Sequence, residues 1–130
     1  MPERSGDWFR QAEADLRHAH NSLASGDYEW ACFAAQQAAE KAVKALFQSL
    51  HLDAWGHTVS LLLANLPQGQ AVPQDLLDKA KVLDKHYIPA RHPNGFESGA
   101  PTDFYTRPEA EQAVRIAGEI IAFCKDHRGE

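Results

Sequence analysis

The chain of 130 residues carries a formal net charge of -5, with 44% hydrophobic and 24% charged residues. This length and balance are typical of one globular domain with a buried core and exclude a disordered chain. The acidic balance argues against coating of duplex DNA by a broad basic face, but it is compatible with a small basic site for RNA or a nucleotide. Alanine (21) and leucine (12) far outnumber valine and isoleucine (9 together), which disfavours a sheet-dominated fold.

Cysteine usage and the N-terminal residues indicate the compartment. Cys32 and Cys124 lie far apart without a CxxC pattern, so we expect reduced, mostly buried thiols. Residues 1–10 are charged and lack the apolar stretch of a signal peptide. Apolar runs such as Leu61–Ala64 are far too short to cross a bilayer. The sequence predicts a cytoplasmic protein that does not insert into membranes.

Glycine and proline divide the chain into stretches with helical periodicity. The predicted helices are one from Asp7, its N-cap, to Ser25; one from Tyr28 towards Trp55, capped by Asp27; short ones around Val59–Leu66 and Leu76–Leu83; and one over Ala110–Cys124 with Pro108 in its first turn. Short connections favour antiparallel neighbours. We therefore predict an all-α fold, a five-helix up-and-down bundle forming a single domain over residues 1–130. Trp8, Trp30 and Trp55 are predicted to be core or interface residues.

One segment, Pro89–Arg107, lacks helical periodicity and is long for a connection in so small a domain. It contains Phe96, Phe104 and Tyr105, which argues against simple disorder. We expect this segment to fold back on the bundle and to carry or cover a functional site.

Several motifs in a fixed order resemble the HEPN family of small helical proteins. The opening helix is followed by Gly26–Glu29 (GDYE), then by Gln36–Lys44 (QQAAEKAVK), Gly56–Thr58 (GHT) and Tyr87–Asn94 (YIPARHPN). Together these motifs span roughly residues 7–127. The resemblance implies a HEPN-like five-helix bundle, commonly a homodimer. In prokaryotes such proteins are often paired with a minimal nucleotidyltransferase in a two-component or toxin–antitoxin system.

Some members of that family are metal-independent ribonucleases, whose signature is an arginine followed four to six residues later by a histidine. Here His92 follows Arg91 directly, and the next histidine is His127. The ribonuclease signature is absent, so the resemblance does not transfer that activity directly. The enzymatic status of the chain stays open, with a non-enzyme favoured.

The residues around Arg91 suggest a ligand-binding site. The planar guanidinium of Arg91 suits phosphate recognition, and His92 can serve as a donor or a general acid. Tyr87, one helical turn earlier if the helix continues, and Tyr105 can stack on a base or donate a hydroxyl to phosphate. The alternative is that Arg91 only anchors the loop through backbone carbonyls, with both tyrosines packed beneath it.

Glu40, Lys41 and Lys44 share part of a helix surface. They form either a solvated face with an i,i+4 salt bridge or a phosphate-facing basic pocket beside Arg91, in which Glu40 orients the cations. His57 either caps or packs at a helix start or belongs to the site. No histidine pattern matches a known metal motif, so we predict neither a metal site nor a cofactor.

These observations leave three functional hypotheses. The favoured one is a homodimeric binding module that engages a nucleotidyltransferase partner, a nucleotide or RNA phosphates through Arg91, His92, Tyr87, Lys41 and Lys44. The second is a ribonuclease toxin that pairs Arg91 with His92 or His57, in which the arginine stabilises the phosphorane and the histidine moves protons. The third is a purely structural interaction scaffold.

Overall fold

The computed structural model describes residues 3–128, which are helical with connecting turns and contain no strand. The helices are α1 (Ser5–Ser25), α2 (Tyr28–Ser49), α3 (Val59–Ala64), α4 (Gln74–Asp84), α5 (Pro101–Phe104) and α6 (Arg107–His127). Short 3₁₀ turns lie at Gln68–Gln70 and Pro93–Gly95. The all-α prediction is confirmed, with all five predicted helices present and α5 as an additional single turn. Residues 1–2 and 129–130 of the predicted domain lie outside the described residues.

Helix α2 forms the centre of the bundle and packs against both α1 and α6. Its stripe of small residues is fully buried, including Ala31, Ala35, Ala38 and Ala42. Small side chains let neighbouring helices approach closely, which explains the alanine-rich composition. The two-residue connection between α1 and α2 makes this pair an antiparallel hairpin. Gly26 ends α1 in the left-handed region with φ 81°, where glycine is favoured.

Two helix boundaries differ from the prediction. Helix α1 begins at Ser5, so Asp7 lies in its first turn, where it pairs with Arg4 and Arg10, and is not the N-cap. Helix α2 ends at Ser49 well before Trp55. The early end follows from His51, whose φ of 61° is left-handed and turns the chain so that the Leu52 N–H donates to the Phe47 carbonyl at 2.9 Å.

Two of the three tryptophans lie outside the core. Trp30 is 47% and Trp55 is 86% exposed, so neither is a core residue, and their place in an interface stays a prediction. Trp30 lies in the first turn of α2 and Trp55 in the loop after it, where no neighbouring helix covers them fully. Trp8 is partly buried and packs against the core.

The segment after α4 folds back on the bundle, as expected. Ala90 is buried, and the Phe96 and Phe104 rings stack with centroids 4.7 Å apart. Tyr105 Oη lies 3.1 Å from Nδ1 of the buried His86. Thr106 then caps α6. The segment is therefore a packed layer over one side of α4 and the start of α6.

Candidate functional site

Glu40 is a carboxylate buried on the polar side of α2. Its Oε1 accepts from Gln36 Nε2 at 3.2 Å and its Oε2 from Lys44 Nζ at 3.1 Å. The i−4 and i+4 spacing of these residues on α2 places them above and below the carboxylate. His57, from the loop before α3, places its Nδ1 3.1 Å and 3.0 Å from the two carboxylate oxygens. These partners compensate a charge that would otherwise be costly to bury.

The same contacts orient the imidazole of His57. With Nδ1 against a carboxylate, the favoured tautomer carries the proton on Nδ1, which leaves Nε2 as the acceptor. The Gln36 amide also donates to the His57 carbonyl at 3.0 Å. Since the His57 side chain is 54% exposed, the Glu40–His57 pair presents a positioned imidazole to solvent.

Four rings form a continuous aromatic row from α2 to the loop before α3. Trp30 and Phe33 of α2 have centroids 6.1 Å apart, and Phe33 lies 6.2 Å from Tyr87. Tyr87 in turn stacks on His57 at 4.7 Å with an interplanar angle of 15°. The aromatic row (Trp30, Phe33, Tyr87 and His57) therefore joins three separate segments of the chain.

Arg91 lies over the middle of the aromatic row. Its Cζ is 4.4 Å from the Phe33 centroid and 4.7 Å from the Tyr87 centroid. Its Nε donates to the Tyr87 carbonyl at 2.9 Å. No Asp or Glu within residues 3–128 forms an ion pair with Arg91. The guanidinium thus has a fixed orientation, and its charge has no acidic partner in this part of the chain.

The backbone carrying Tyr87 and Arg91 differs from the predicted one. Helix α4 ends at Asp84, and the chain continues in turns, with the Arg91 N–H donating to the Ile88 carbonyl at 3.0 Å. The two side chains still meet because the arginine folds back onto the tyrosine. The alternative that Arg91 anchors the loop through a backbone carbonyl fits its Nε, which donates to Tyr87. The two terminal nitrogens of the guanidinium take no part in that hydrogen bond.

Three other predicted residues have different surroundings from those of the aromatic row. Lys41 forms an ion pair with Asp15 of α1, so its charge is already compensated, and its role in binding a ligand beside Arg91 stays a prediction. The α1–α2 packing brings that carboxylate to it. Tyr105 contacts His86 and is not part of the aromatic row. His92 is exposed at the start of the 3₁₀ turn beside Arg91.

Sequence reasoning missed Trp30, Phe33 and Gln36 as members of the cluster. A signal was present, because Phe33, Gln36 and Lys44 are seven and four residues from Glu40 and share its face of an α-helix. What the sequence does not reveal is that this face meets the turn containing Tyr87 and Arg91.

Two surface clefts flank the aromatic row. One, of about 390 Å³, is lined on one side by His57, Tyr87 and Lys85. The other, of about 230 Å³, lies between α1 and α2 and includes Trp30 and Phe33. The described residues hold no group of three or more His, Cys, Asp or Glu side chains placed to bind a metal. Likewise, no helix within residues 3–128 is long and apolar enough to cross a membrane.

The family of the chain follows from its sequence profile. The profile of the HEPN domain matches residues 5–127. The chain belongs to the HEPN family, as the order of its motifs predicts, and its fold is the all-α fold of that family.

Solved structures of similar proteins agree with this assignment. TT1696 from Thermus thermophilus is 51% identical, with a TM-score of 0.95 over 97% of this chain and 99% of that chain. ST0689, an archaeal HEPN homologue, is 41% identical, with a TM-score of 0.82 over 96% and 98% of the two chains. A HEPN domain protein of Thermotoga maritima, TM0613, is 43% identical, with a TM-score of 0.76 over 92% and 95%.

A curated relative has a functional name. The protein called "Putative toxin MJ1304" from Methanocaldococcus jannaschii is 27% identical over 128 residues, which cover 92% of this chain and 84% of that protein. The chain is therefore a HEPN module with a toxin-named relative.

Proposed function

We propose that this HEPN domain binds the phosphate groups of a nucleotide or of RNA at Arg91. The observation that carries the proposal is the guanidinium held over Phe33 and Tyr87 with only its Nε anchored, at 2.9 Å from the Tyr87 carbonyl. A planar guanidinium in a fixed orientation presents its two terminal nitrogens as a fork that matches phosphate oxygens.

The charges around Arg91 support an anion as the ligand. Lys44 is compensated by Glu40, and Lys41 by Asp15. Arg91 has no such partner among residues 3–128, so its charge can pair with an incoming anion. Because half-buried charges interact more strongly than exposed ones, a phosphate there gains more than at a surface lysine. The overall charge of -5 does not describe this local arrangement.

Calorimetric titration with pyrophosphate and with ADP tests the proposal. Arg91→Ala is expected to weaken both ligands by about 10- to 150-fold, the equivalent of losing hydrogen bonds to a charged group. Arg115→Ala is the matched control because Arg115 is exposed on α6, and it should bind like the wild type. Equal affinities of the Arg91 and Arg115 variants would refute the proposal.

The same variants distinguish binding from a scaffold role. If Arg91 only anchors the turn after α4, Arg91→Ala lowers the free energy of unfolding and no ligand binds the wild type. If Arg91 binds phosphate, Arg91→Lys keeps the charge but not the planar fork, so it should fold normally and bind more weakly than the wild type.

We further propose that the protein is a cytoplasmic homodimer and the companion of a minimal nucleotidyltransferase, as the resemblance implies. Multi-angle light scattering of the purified protein should give the mass of a dimer. A nucleotidyltransferase reading frame beside its gene, and copurification of the two products after co-expression, would support the pairing. The mass of a monomer would contradict the homodimer, and separate elution of the two proteins would contradict the pairing.

A second candidate function is metal-independent ribonuclease activity. The observation that favours it is the positioned imidazole of His57, stacked at 4.7 Å on the tyrosine that Arg91 covers. Here His57 Nε2 would take the proton from an RNA 2′-hydroxyl, whose oxygen then bonds to phosphorus. The bond from phosphorus to the 5′-oxygen breaks, and the imidazolium returns the proton to that oxygen, which gives a 2′,3′-cyclic phosphate and a 5′-hydroxyl. Arg91 would stabilise the negative charge of the phosphorane. His57 thus supplies the histidine that is missing from the sequence signature.

Cleavage of a fluorogenic RNA by the purified protein in the presence of a chelator tests this candidate. His57→Ala and Arg91→Ala should each abolish the cleavage, and each should also relieve any growth arrest caused by expression in a bacterial host. His92→Ala is the control variant. Full loss of activity in that variant would transfer the role to His92, and intact RNA with all proteins would exclude the activity.

A further inference from the structure

The cleft between α1 and α2 combines aromatic walls with polar groups. Trp30 and Phe33 form its aromatic side, and Gln37, Lys41 and Asp15 line it as well. Trp30 leaves 47% of its surface exposed there, although tryptophan is usually well buried. At about 230 Å³, the cleft is of a size to take one planar ring system and too small for a whole drug-sized ligand.

The cleft and the proposed phosphate site share one residue. Phe33 lines the cleft and also lies beneath Arg91, whose Cζ is 4.4 Å from its centroid. The Trp30 ring is 6.1 Å from Phe33 in an edge-to-face arrangement. A molecule whose phosphate contacts Arg91 therefore has an exposed aromatic surface one ring away.

We propose that Trp30 and Phe33 form a subsite for the nucleobase that is attached to the phosphate bound by Arg91. The inference rests on the proposed phosphate binding and adds the part of the ligand that a bare anion lacks. Stacking on aromatic side chains is available to every base, since each has a π-face. The ligand is thus a base joined to a phosphate, either in a free nucleotide or in single-stranded RNA.

The polar groups of the cleft fit a nucleobase better than a purely apolar ligand. The Gln37 amide donates to the Gln36 side chain at 2.8 Å, which holds it beside Phe33. Asp15 is paired with Lys41 and accepts from Gln11 at 2.9 Å. A base edge placed between the Gln37 amide and the Lys41–Asp15 pair meets both donors and acceptors.

The test compares pyrophosphate, ADP and a short single-stranded oligoadenylate by calorimetry. Trp30→Ala is expected to raise the Kd of ADP by about fivefold or more, the lower end of what removal of a stacking ring costs. The Kd of pyrophosphate should not change, because pyrophosphate has no base. Trp30→Phe keeps an aromatic ring and should restore most of the ADP affinity. Trp55→Ala is the matched control, since Trp55 is 86% exposed and outside the cleft.

Each outcome decides a different point. If Trp30→Ala loses as much affinity for pyrophosphate as for ADP, or loses neither, the base subsite is wrong. The phosphate site is tested separately, by comparing Arg91→Ala with Arg115→Ala. If the wild type binds none of the three ligands, both proposals are wrong. Tighter binding of the oligoadenylate than of ADP, lost in Trp30→Ala, would identify RNA as the source of the base. The reverse order would identify a free nucleotide.

Discussion

Replacement of Glu40 by glutamine tests whether the buried carboxylate holds the polar cluster together. The two side chains have nearly the same shape, so Glu40→Gln removes the charge and leaves no cavity. Lys44 Nζ and His57 Nδ1 both approach the carboxylate oxygens, at 3.1 Å and 3.0 Å. Gln36 Nε2 donates to the other carboxylate oxygen at 3.2 Å. An amide has one oxygen and one NH₂ group, so at least one of these three donors faces another donor in the variant.

The magnitude follows from burial. The side chains of Glu40 and Lys44 are only 7% and 17% exposed, so water replaces the lost contacts poorly. A hydrogen bond to a charged group is worth about 1.5–3 kcal/mol, and a partly buried lysine without its counter-ion adds to the cost. We expect Glu40→Gln to lower the free energy of unfolding by about 2–4 kcal/mol. Against a typical stability of about 5–15 kcal/mol, the variant should still fold.

Urea unfolding followed by far-ultraviolet circular dichroism measures this loss. With a slope of about 2 kcal/mol per molar urea, the midpoint should fall by about 1–2 M. Glu119→Gln is the matched control because its ion pair with Lys79 is open to solvent, with side chains about 40% exposed, and such pairs contribute about 0.2–1 kcal/mol. If the two variants differ by less than about 0.5 kcal/mol, the argument that Glu40 stabilises the cluster is wrong.

Three further predictions concern the rest of the fold. Burial lowers the pKa of His86 below its ordinary value of 6.5. Just below that pH the unfolded chain therefore binds more protons than the folded chain, and the free energy of unfolding should fall as the pH drops from 7 towards 5. In urea titrations His86→Asn should show a shallower decline than the wild type, and an equal decline would contradict this. Gly26→Ala should lower the free energy of unfolding by about 1–2 kcal/mol because the φ of Gly26 is 81°. Gly118→Ala in α6 should raise it by about 0.5–1 kcal/mol, because the added Cβ has no contact within 4 Å. Thermal unfolding that shows both changes in the same direction would refute this contrast. Burial raises the pKa of Cys32 to about 12 and also raises that of Cys124. Neither thiol should therefore react with a thiol-specific dye at neutral pH until urea unfolds the protein. Rapid labelling of the native protein would contradict this prediction.

The fold was largely predictable because it depends on local patterns. Alanine and leucine at helical spacing, interrupted by glycine and proline, identify the long helices without knowledge of their neighbours. The boundaries that were wrong depend on single residues. His51 ends α2 in a left-handed conformation that is uncommon outside glycine, and nothing in the local sequence marks it. The single turn Pro101–Phe104 is too short to show periodicity.

The candidate site was predictable only in part. Arg91, Tyr87, Glu40, Lys44 and His57 were all selected from their residue types and motifs, and the structure places them in one cluster. Lys41 has the same residue type but pairs with Asp15 of α1, because it points about 100° around the helix from Glu40. Which of the two lysines meets which neighbouring segment depends on helix packing.

By itself, the sequence determined the class of fold, the family and the residue types able to bind phosphate, since all three are expressed in local order and spacing. The tertiary structure alone decided which of those residues meet. Phe33 of α2, His57 before α3 and Arg91 after α4 are far apart in sequence and come together only when the buried face of α2 packs in the bundle. The burial of Glu40 and the absence of an acidic partner for Arg91 within residues 3–128 are likewise products of that packing, because only the folded chain excludes water and fixes which charges are neighbours.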